Sequence, residues 1–220
     1  MSLFNSLKQL SNKAIETHLA IRKYGDFVLT DGITPSLNVK PQTGYKHIDF
    51  QDNYRDVDLP VIEISASKEI LFELFLELTD LFGTNQVNVV LETSHMSRSL
   101  LYTHSHIDLP RDDIDISILQ SILWDFKNLL LNDGRMGIAL VNYENLMELQ
   151  FDEHKILVFF NWQIVKNELF AILERYNIQE HPNMQLIVDD EHIHTSSEEF
   201  DEEFRKLATR IGVEEDNDNN

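Results

Sequence analysis

The sequence predicts an α+β fold: a single mixed β-sheet with helices packed mainly on one face, plus a helix at the N-terminus. Three observations lead there. Between Asp115 and Asp189 the apolar residues change period in the order helix, three strands, helix, strand, an αβββαβ unit. From Leu59 to Tyr143 the order is strand, helix, strand, strand, helix, strand, the split βαββαβ arrangement, which overlaps the central unit. Finally, 42% of the 220 residues are hydrophobic, enough for a substantial core.

The central unit is read from spacing. Ile116, Leu119, Leu123, Phe126 and Leu130 recur at three and four, the stripe of a helix running to Leu131 that Asn132-Asp133-Gly134 ends. Met136 to Tyr143, Leu146 to Phe151 and Ile156 to Phe160 are short apolar runs separated by Glu144-Asn145 and Asp152-Glu153, which predicts three strands joined by tight turns. Asn161 is placed to cap the next helix, with Ile164, Leu169, Ile172, Leu173 and Tyr176 inward. His181-Pro182-Asn183 then breaks the chain before a strand from Met184 to Val188.

On the N-terminal side, Ser2 to Tyr24 reads as a basic amphipathic helix ended by Gly25, docked on the body. Residues 26 to 58 hold four Gly or Pro turn signals and read as an irregular arm with one or two edge strands. The regular body starts at Leu59: a strand Val61 to Ile64, a helix Lys68 to Phe82 capped by Ser65 or Ser67, and a strand Val87 to Leu91. A polar break at Ser94 to Ser97 and a strand Leu100 to Thr103 follow, and Asp112 with Asp115 opens the central helix. Ser196 and Glu199 form a capping box for a last helix with Phe200, Phe204, Leu207 and Ile211 inward and Gly212 as its stop. The division expected is 1–58 for helix and arm, 59–212 for the α+β domain and 213–220 for a disordered acidic tail.

Charge and composition narrow the function classes. The net charge is −20, and residues 1 to 60 hold seven basic and seven acidic residues, so the excess lies in the remaining 160. Such a surface repels phosphate backbones and anionic lipid and speeds encounter with a basic protein, so nucleic acid and membrane are not expected partners. The N-terminal stretch lacks a signal peptide's apolar centre and no run approaches a membrane span, which predicts a cytoplasmic protein. Zero cysteines exclude disulfides, thiolate metal sites and a cysteine nucleophile. Phosphate-loop, dinucleotide, nucleophile-elbow and His-Glu-x-x-His patterns are absent.

Two His-x-His pairs stand out among nine histidines, because alternate residues of a strand share a side and can share an ion. Thr103-His104-Ser105-His106-Ile107-Asp108, after an apolar run, resembles the metal-binding loop of the metallo-β-lactamase family. The resemblance covers six residues and departs at Leu109, where that family has another histidine. It implies that His104 and His106 hold one metal and Asp108 a second, with a bound water as nucleophile. The second pair, His192 and His194, follows Asp189-Asp190-Glu191, and Asp190 is the carboxylate that joins it as a candidate ligand.

The helix, three strands, helix, strand order is similar to the core of restriction-endonuclease-like nucleases, and Glu153-His154-Lys155 could supply the Glu-x-Lys that this resemblance implies, though it sits in a predicted turn and not on a strand. The function the sequence favours is nonetheless a non-catalytic acidic binding domain, like immunity or inhibitor proteins in character. It would meet a basic protein through Asp189, Asp190, Glu198 and Glu202 and use no cofactor. The alternative is a metal-dependent hydrolase or nuclease-like enzyme using a divalent ion at a His-x-His or Glu-x-Lys site.

Overall fold

The computed structural model describes residues 12–52, 57–83, 86–96 and 104–213. Helix α1 (Asn12–Leu19) carries a buried His18 whose Nε2 lies 2.9 Å from the carbonyl oxygen of Pro35, tying the helix to the arm that follows. The arm turns at Gly25, where φ is +60°, between β1 (Lys23–Tyr24) and β2 (Phe27–Val28), and then forms β3 (Ile33–Thr34). It does not remain irregular to Leu59. Gly44–Asp52 (β4) runs antiparallel along Val57–Ser65 (β5) and makes the edge of the main sheet.

The body continues with α2 (Lys68–Thr79), β6 (Gln86–Met96), β7 (His104–Asp115), α3 (Ile116–Asp125) and α4 (Lys127–Asn132). Three strands follow, β8 (Met136–Asn142), β9 (Met147–Phe151) and β10 (Leu157–Phe160), and then α5 (Lys166–Arg175), β11 (Ile193–His194) and α6 (Glu198–Ile211). The α+β class is as the sequence predicts. Seven strands form one sheet in the order β4-β5-β10-β9-β8-β6-β7. Every ladder in it is antiparallel, where a mixed sheet was expected; among the described residues the parallel element is the bridge between Tyr45 and Glu180.

Alternation along the strands divides the two faces. Ile62 and Ile64 of β5, Leu149 and Phe151 of β9, and Leu157 and Phe159 of β10 enter one large core. Leu71, Phe72, Phe75 and Leu78 of α2, Leu119 and Leu123 of α3, Leu169 and Leu173 of α5, and Phe204, Leu207 and Ile211 of α6 fill its other side. Val61 and Val158, one residue out of step, point to the opposite face, where they pack against Met184 and Leu186. Helices therefore cover one face, and a strap from residue 178 to 197 crosses the other.

The strap replaces the strand expected from Met184 to Val188. Met184 N closes a turn on His181 O, and Ile187–Asp189 is a single 3-10 turn in which Asp189 accepts from the backbone N–H of Leu186 at 2.8 Å. Met184 and Leu186 serve one apolar cluster and Ile187 another, so burial is satisfied without a ladder. Other differences are local. The central helix breaks at Phe126, with φ −109° and ψ 18°, into α3 and α4. Asn161 is left-handed at φ 52° and donates to the carbonyl of Asn145 instead of capping, and Ile164, in a 3-10 turn, is exposed. Asp115 alone caps α3, accepting from Ser117 N and Ile118 N, while Asp112 lies within β7. Ser67 stands at the start of α2 without capping it, its hydroxyl accepting from Val28 N. Ser197, not Ser196, caps α6, and Gly212 ends it at φ 83°. Val213 is buried in the core. The expected break at Ser94 is instead the end of a long hairpin in which Met96 pairs with His104; Leu100 to Thr103 and residues 214–220 lie outside the described residues.

Three remote segments meet at Gly134. Its N–H donates to Thr195 O at 2.9 Å, Thr195 N donates to Gly32 O at 2.8 Å, and a Cβ on Gly134 would stand 2.0 Å from Gly32 O. Because the obstacle is backbone, it cannot rotate away. Gly134→Ala is expected to destabilise the fold by about 3 kcal/mol in urea unfolding; a midpoint unchanged from the parent would show that the junction is looser than described.

Candidate metal centre

The turn joining β9 to β10 is templated by one carboxylate. Asp152 Oδ1 accepts from the backbone N–H groups of His154 and Ile156 at 3.0 and 3.1 Å, and Lys155 closes the turn in the left-handed region at φ 62°. The other oxygen, Oδ2, lies 2.9 Å from His154 Nδ1. On the strap, His192 Nδ1 lies 2.9 Å from the carbonyl oxygen of Asp190. His194, on β11, is held by pairing of that strand with β3, and its Nδ1 bonds the carbonyl oxygen of Gly134.

Each of these acceptors is an oxygen that can only receive a hydrogen. All three rings therefore carry hydrogen on Nδ1, and Nε2 is the nitrogen that offers a lone pair when the ring is neutral. Ring centroids are separated by 4.7 Å between His154 and His192, 5.0 Å between His154 and His194, and 4.9 Å between His192 and His194. One ring nitrogen from each lies within 4.8 Å of the others. Nitrogen ligands on a tetrahedral zinc ion stand roughly 3.3 Å apart, so the three rings would have to draw closer to share one.

The three rings line an open cavity of about 740 Å³ together with Ser94, Arg135, Glu153 and the first turn of α6. Glu153 Oε1 is 3.9 Å from His154 Nε2, and Oε2 accepts from Ser94 Oγ at 3.0 Å. Arg135 donates through Nη2 to Asp201, and its Nε is 3.8 Å from buried Asp133. Burial lowers the His154 pKa, but the hydrogen bond and charge of Asp152, helped by Glu153, outweigh it and the net shift is upward. His194 moves the other way: burial dominates, the Gly134 carbonyl opposes it, and the neighbouring His154 and His192 add to the lowering.

Of the residues singled out in the sequence, His192 and His194 come together, and their third member is His154. His104 and His106 lie within the continuous strand β7, at the backbone positions paired with Met96 and Ser94, and not in a loop; their side chains fall outside the described residues. Asp108 is exposed on the same strand, paired with Glu92. Asp190 contributes its backbone carbonyl to His192 while its carboxylate accepts from Ser36, Asn38 and Glu191 N, which holds it below the usual range. Asp189 binds Lys46 Nζ at 3.0 Å. Glu198 lines the cavity, and Glu202 is exposed farther along α6. In Glu153-His154-Lys155, the glutamate faces the cavity and the lysine does not: Lys155 is buried, donating to Met136 O at 3.0 Å, 5.5 Å above the Phe151 ring.

One signal for His154 was present in the sequence. Asp152-Glu153-His154 and Asp190-Glu191-His192 are the same tripeptide, and in both the histidine bonds an oxygen of the aspartate two residues before it. No protein-family model, curated protein or solved structure matches this chain. Function is therefore argued from the chemistry of the site.

Lys155 gives a test of the site's foundations. Burial pulls its pKa from 10.5 to about 8, against the opposing charges of Asp133, Asp152 and Glu153. With the folded pKa below the unfolded one, the unfolded chain binds more protons between those limits, so stability rises with pH across that window. In chelator-treated protein the gain is expected to be on the order of 3 kcal/mol from pH 8 to 10.5, and Lys155→Met, which has no amine to titrate, should lack it. Parallel stability curves for the two proteins would contradict a buried, ionisable lysine.

Proposed function

We propose that this protein is a metal-dependent hydrolase with one divalent ion, zinc by the chemistry of its ligands, bound by His154, His192 and His194. The observation that carries the reading is the hydrogen bonding of the rings. Each histidine is oriented through Nδ1 by a fixed acceptor, and one ring nitrogen of each lies within 4.8 Å of the others. Neutral imidazoles suit zinc better than magnesium or calcium, which take oxygen. Three protein ligands leave a fourth position, and here it faces a cavity large enough for a substrate.

Glu153 supports hydrolysis specifically. Its Oε1, 3.9 Å from a ligand nitrogen, is placed to accept a proton from water in the fourth position, and Ser94 orients the carboxylate. Zinc lowers the pKa of bound water to about 7. A zinc ion held by His154, His192 and His194 would supply hydroxide for attack on an electrophilic centre, and Glu153 would take the proton from its water and return it to the leaving group.

The reading from composition, an acidic domain that binds a basic protein, has less support from the geometry. Two of its four carboxylates, Asp189 and Asp190, are engaged within the molecule by Lys46, Ser36 and Asn38. Among the described residues no helix is long and apolar enough to cross a membrane.

Metal analysis of protein purified without a histidine tag and dialysed against zinc should give one zinc per chain. His154→Ala, His192→Ala and His194→Ala should each weaken zinc binding by more than tenfold, and Asp152→Asn by about 10-fold to 100-fold through loss of the ring's acceptor. Occupancy should fall as pH drops through the imidazole range, because protons compete for Nε2. Glu153→Gln should keep zinc and lose hydrolysis by about 100-fold or more. Wild-type protein without stoichiometric zinc, or alanine variants that bind as well as the parent, would end the proposal.

A further inference from the structure

Resting on the hydrolytic reading, we infer that the bond cleaved is an ester or amide in a substrate that is neutral or positively charged beside its carbonyl, with Glu198 the residue that meets the charge. A site for phosphate or carboxylate substrates presents free cations or a free helix N-terminus beside the metal. This cavity has one of each, and carboxylates of the protein already face both. The guanidinium of Arg135 donates to Asp201 and approaches Asp133, two carboxylates for one cation. The N-terminus of the 14-residue helix α6 opens on the cavity, but its first turn carries Glu198, Glu199 and Asp201, and Ser197 takes the N–H of Phe200.

What remains unanswered in the wall is negative. Glu198 is exposed, lines the cavity and is engaged by no cation among the ion pairs of the described residues. The field behind it has the same sign, since residues 61 to 220 carry 31 acidic against 11 basic side chains. An anionic substrate would have to approach a zinc ion through that field. A carbonyl compound is uncharged until it is attacked, when a zinc ion held by the three histidines would supply the stabilising positive charge, and a cationic substituent would be drawn toward Glu198.

The test uses the zinc-loaded full chain and matched p-nitrophenyl esters that carry a trimethylammonium group, no charge or a carboxylate at the same position, with bis-p-nitrophenyl phosphate as the phosphoryl probe. The cationic ester should show a kcat/KM about tenfold above that of the anionic one at low salt, narrowing in high salt as the field is screened. Glu198→Gln should shrink that ratio several-fold and Glu198→Lys should invert it, whereas Glu202→Gln, outside the cavity, should leave it alone. Faster turnover of the anionic ester or the phosphodiester, or a ratio indifferent to Glu198, would overturn the substrate class while leaving a hydrolase. Hydrolysis of none of the four probes by protein shown to hold zinc would overturn the hydrolytic reading, and this inference with it.

Discussion

The absence of a side chain at Gly134 is the constraint on which the rest of the site depends. A backbone carbonyl from the arm stands where its Cβ would be, so three segments more than fifty residues apart in sequence close to hydrogen-bond distance around one atom. From that junction β11 takes its place beside β3, and the carbonyl of Gly134 sets the ring of His194. The next residue, Arg135, lines the cavity, and its carbonyl accepts from the N–H of Ser94. A single close approach therefore aligns the arm, the sheet and the strap on the centre they share. Such a junction makes the site a property of the complete fold, because no one segment contains it.

The two faces of the sheet explain why the centre lies where it does. One face is closed by five helices and a continuous core, leaving little space for a polar cluster. The other is crossed by the strap, whose apolar anchors Met184 and Leu186 bury Val61 and Val158 and whose charged anchor Asp189 reaches Lys46. Beyond these anchors the strap becomes polar at Asp190, and it is there that its histidines meet the turn between β9 and β10. The inner partner of Lys46, Glu63, has its pKa raised by burial despite the lysine, which marks this seam as partly desolvated. Interactions between charges are stronger in such surroundings than on open surface.

Much of this fold is legible in the sequence wherever burial follows a local period. The stripe of α6, the three short strands β8 to β10 and the stops at Gly83 and Gly212 are all of that kind. The sequence misleads where apolar residues are buried without one. Met184 to Val188 has the composition of a strand, yet its residues divide between two apolar clusters, Met184 and Leu186 in one and Ile187 in the other. The site was half legible. His192 and His194 announce themselves by alternation, but His154 belongs with them only through a pairing of turn and strap that no local pattern encodes. The repeated Asp-Glu-His was the available clue, and its meaning is chemical: an oxygen two residues before an imidazole can hold Nδ1.

The repeat also shows that similar sequence need not give similar electrostatics. His154 bonds a carboxylate, whose charge raises its pKa, whereas the acceptors of His192 and His194 are peptide carbonyls, which orient a ring without adding a full charge. Among three rings about 5 Å apart, protonation of one opposes protonation of the next, and the lowering of His194 by its neighbours is that repulsion. Asp152 thus favours the charged form of His154, while burial and the neighbouring rings disfavour it at His194. A divalent cation bound there would engage all three rings at once where a proton engages one, and the carboxylates of Asp152 and Glu153 would face its charge. The acidity that a composition count assigns to the whole surface has its local counterpart in this pair of carboxylates beside three imidazole rings.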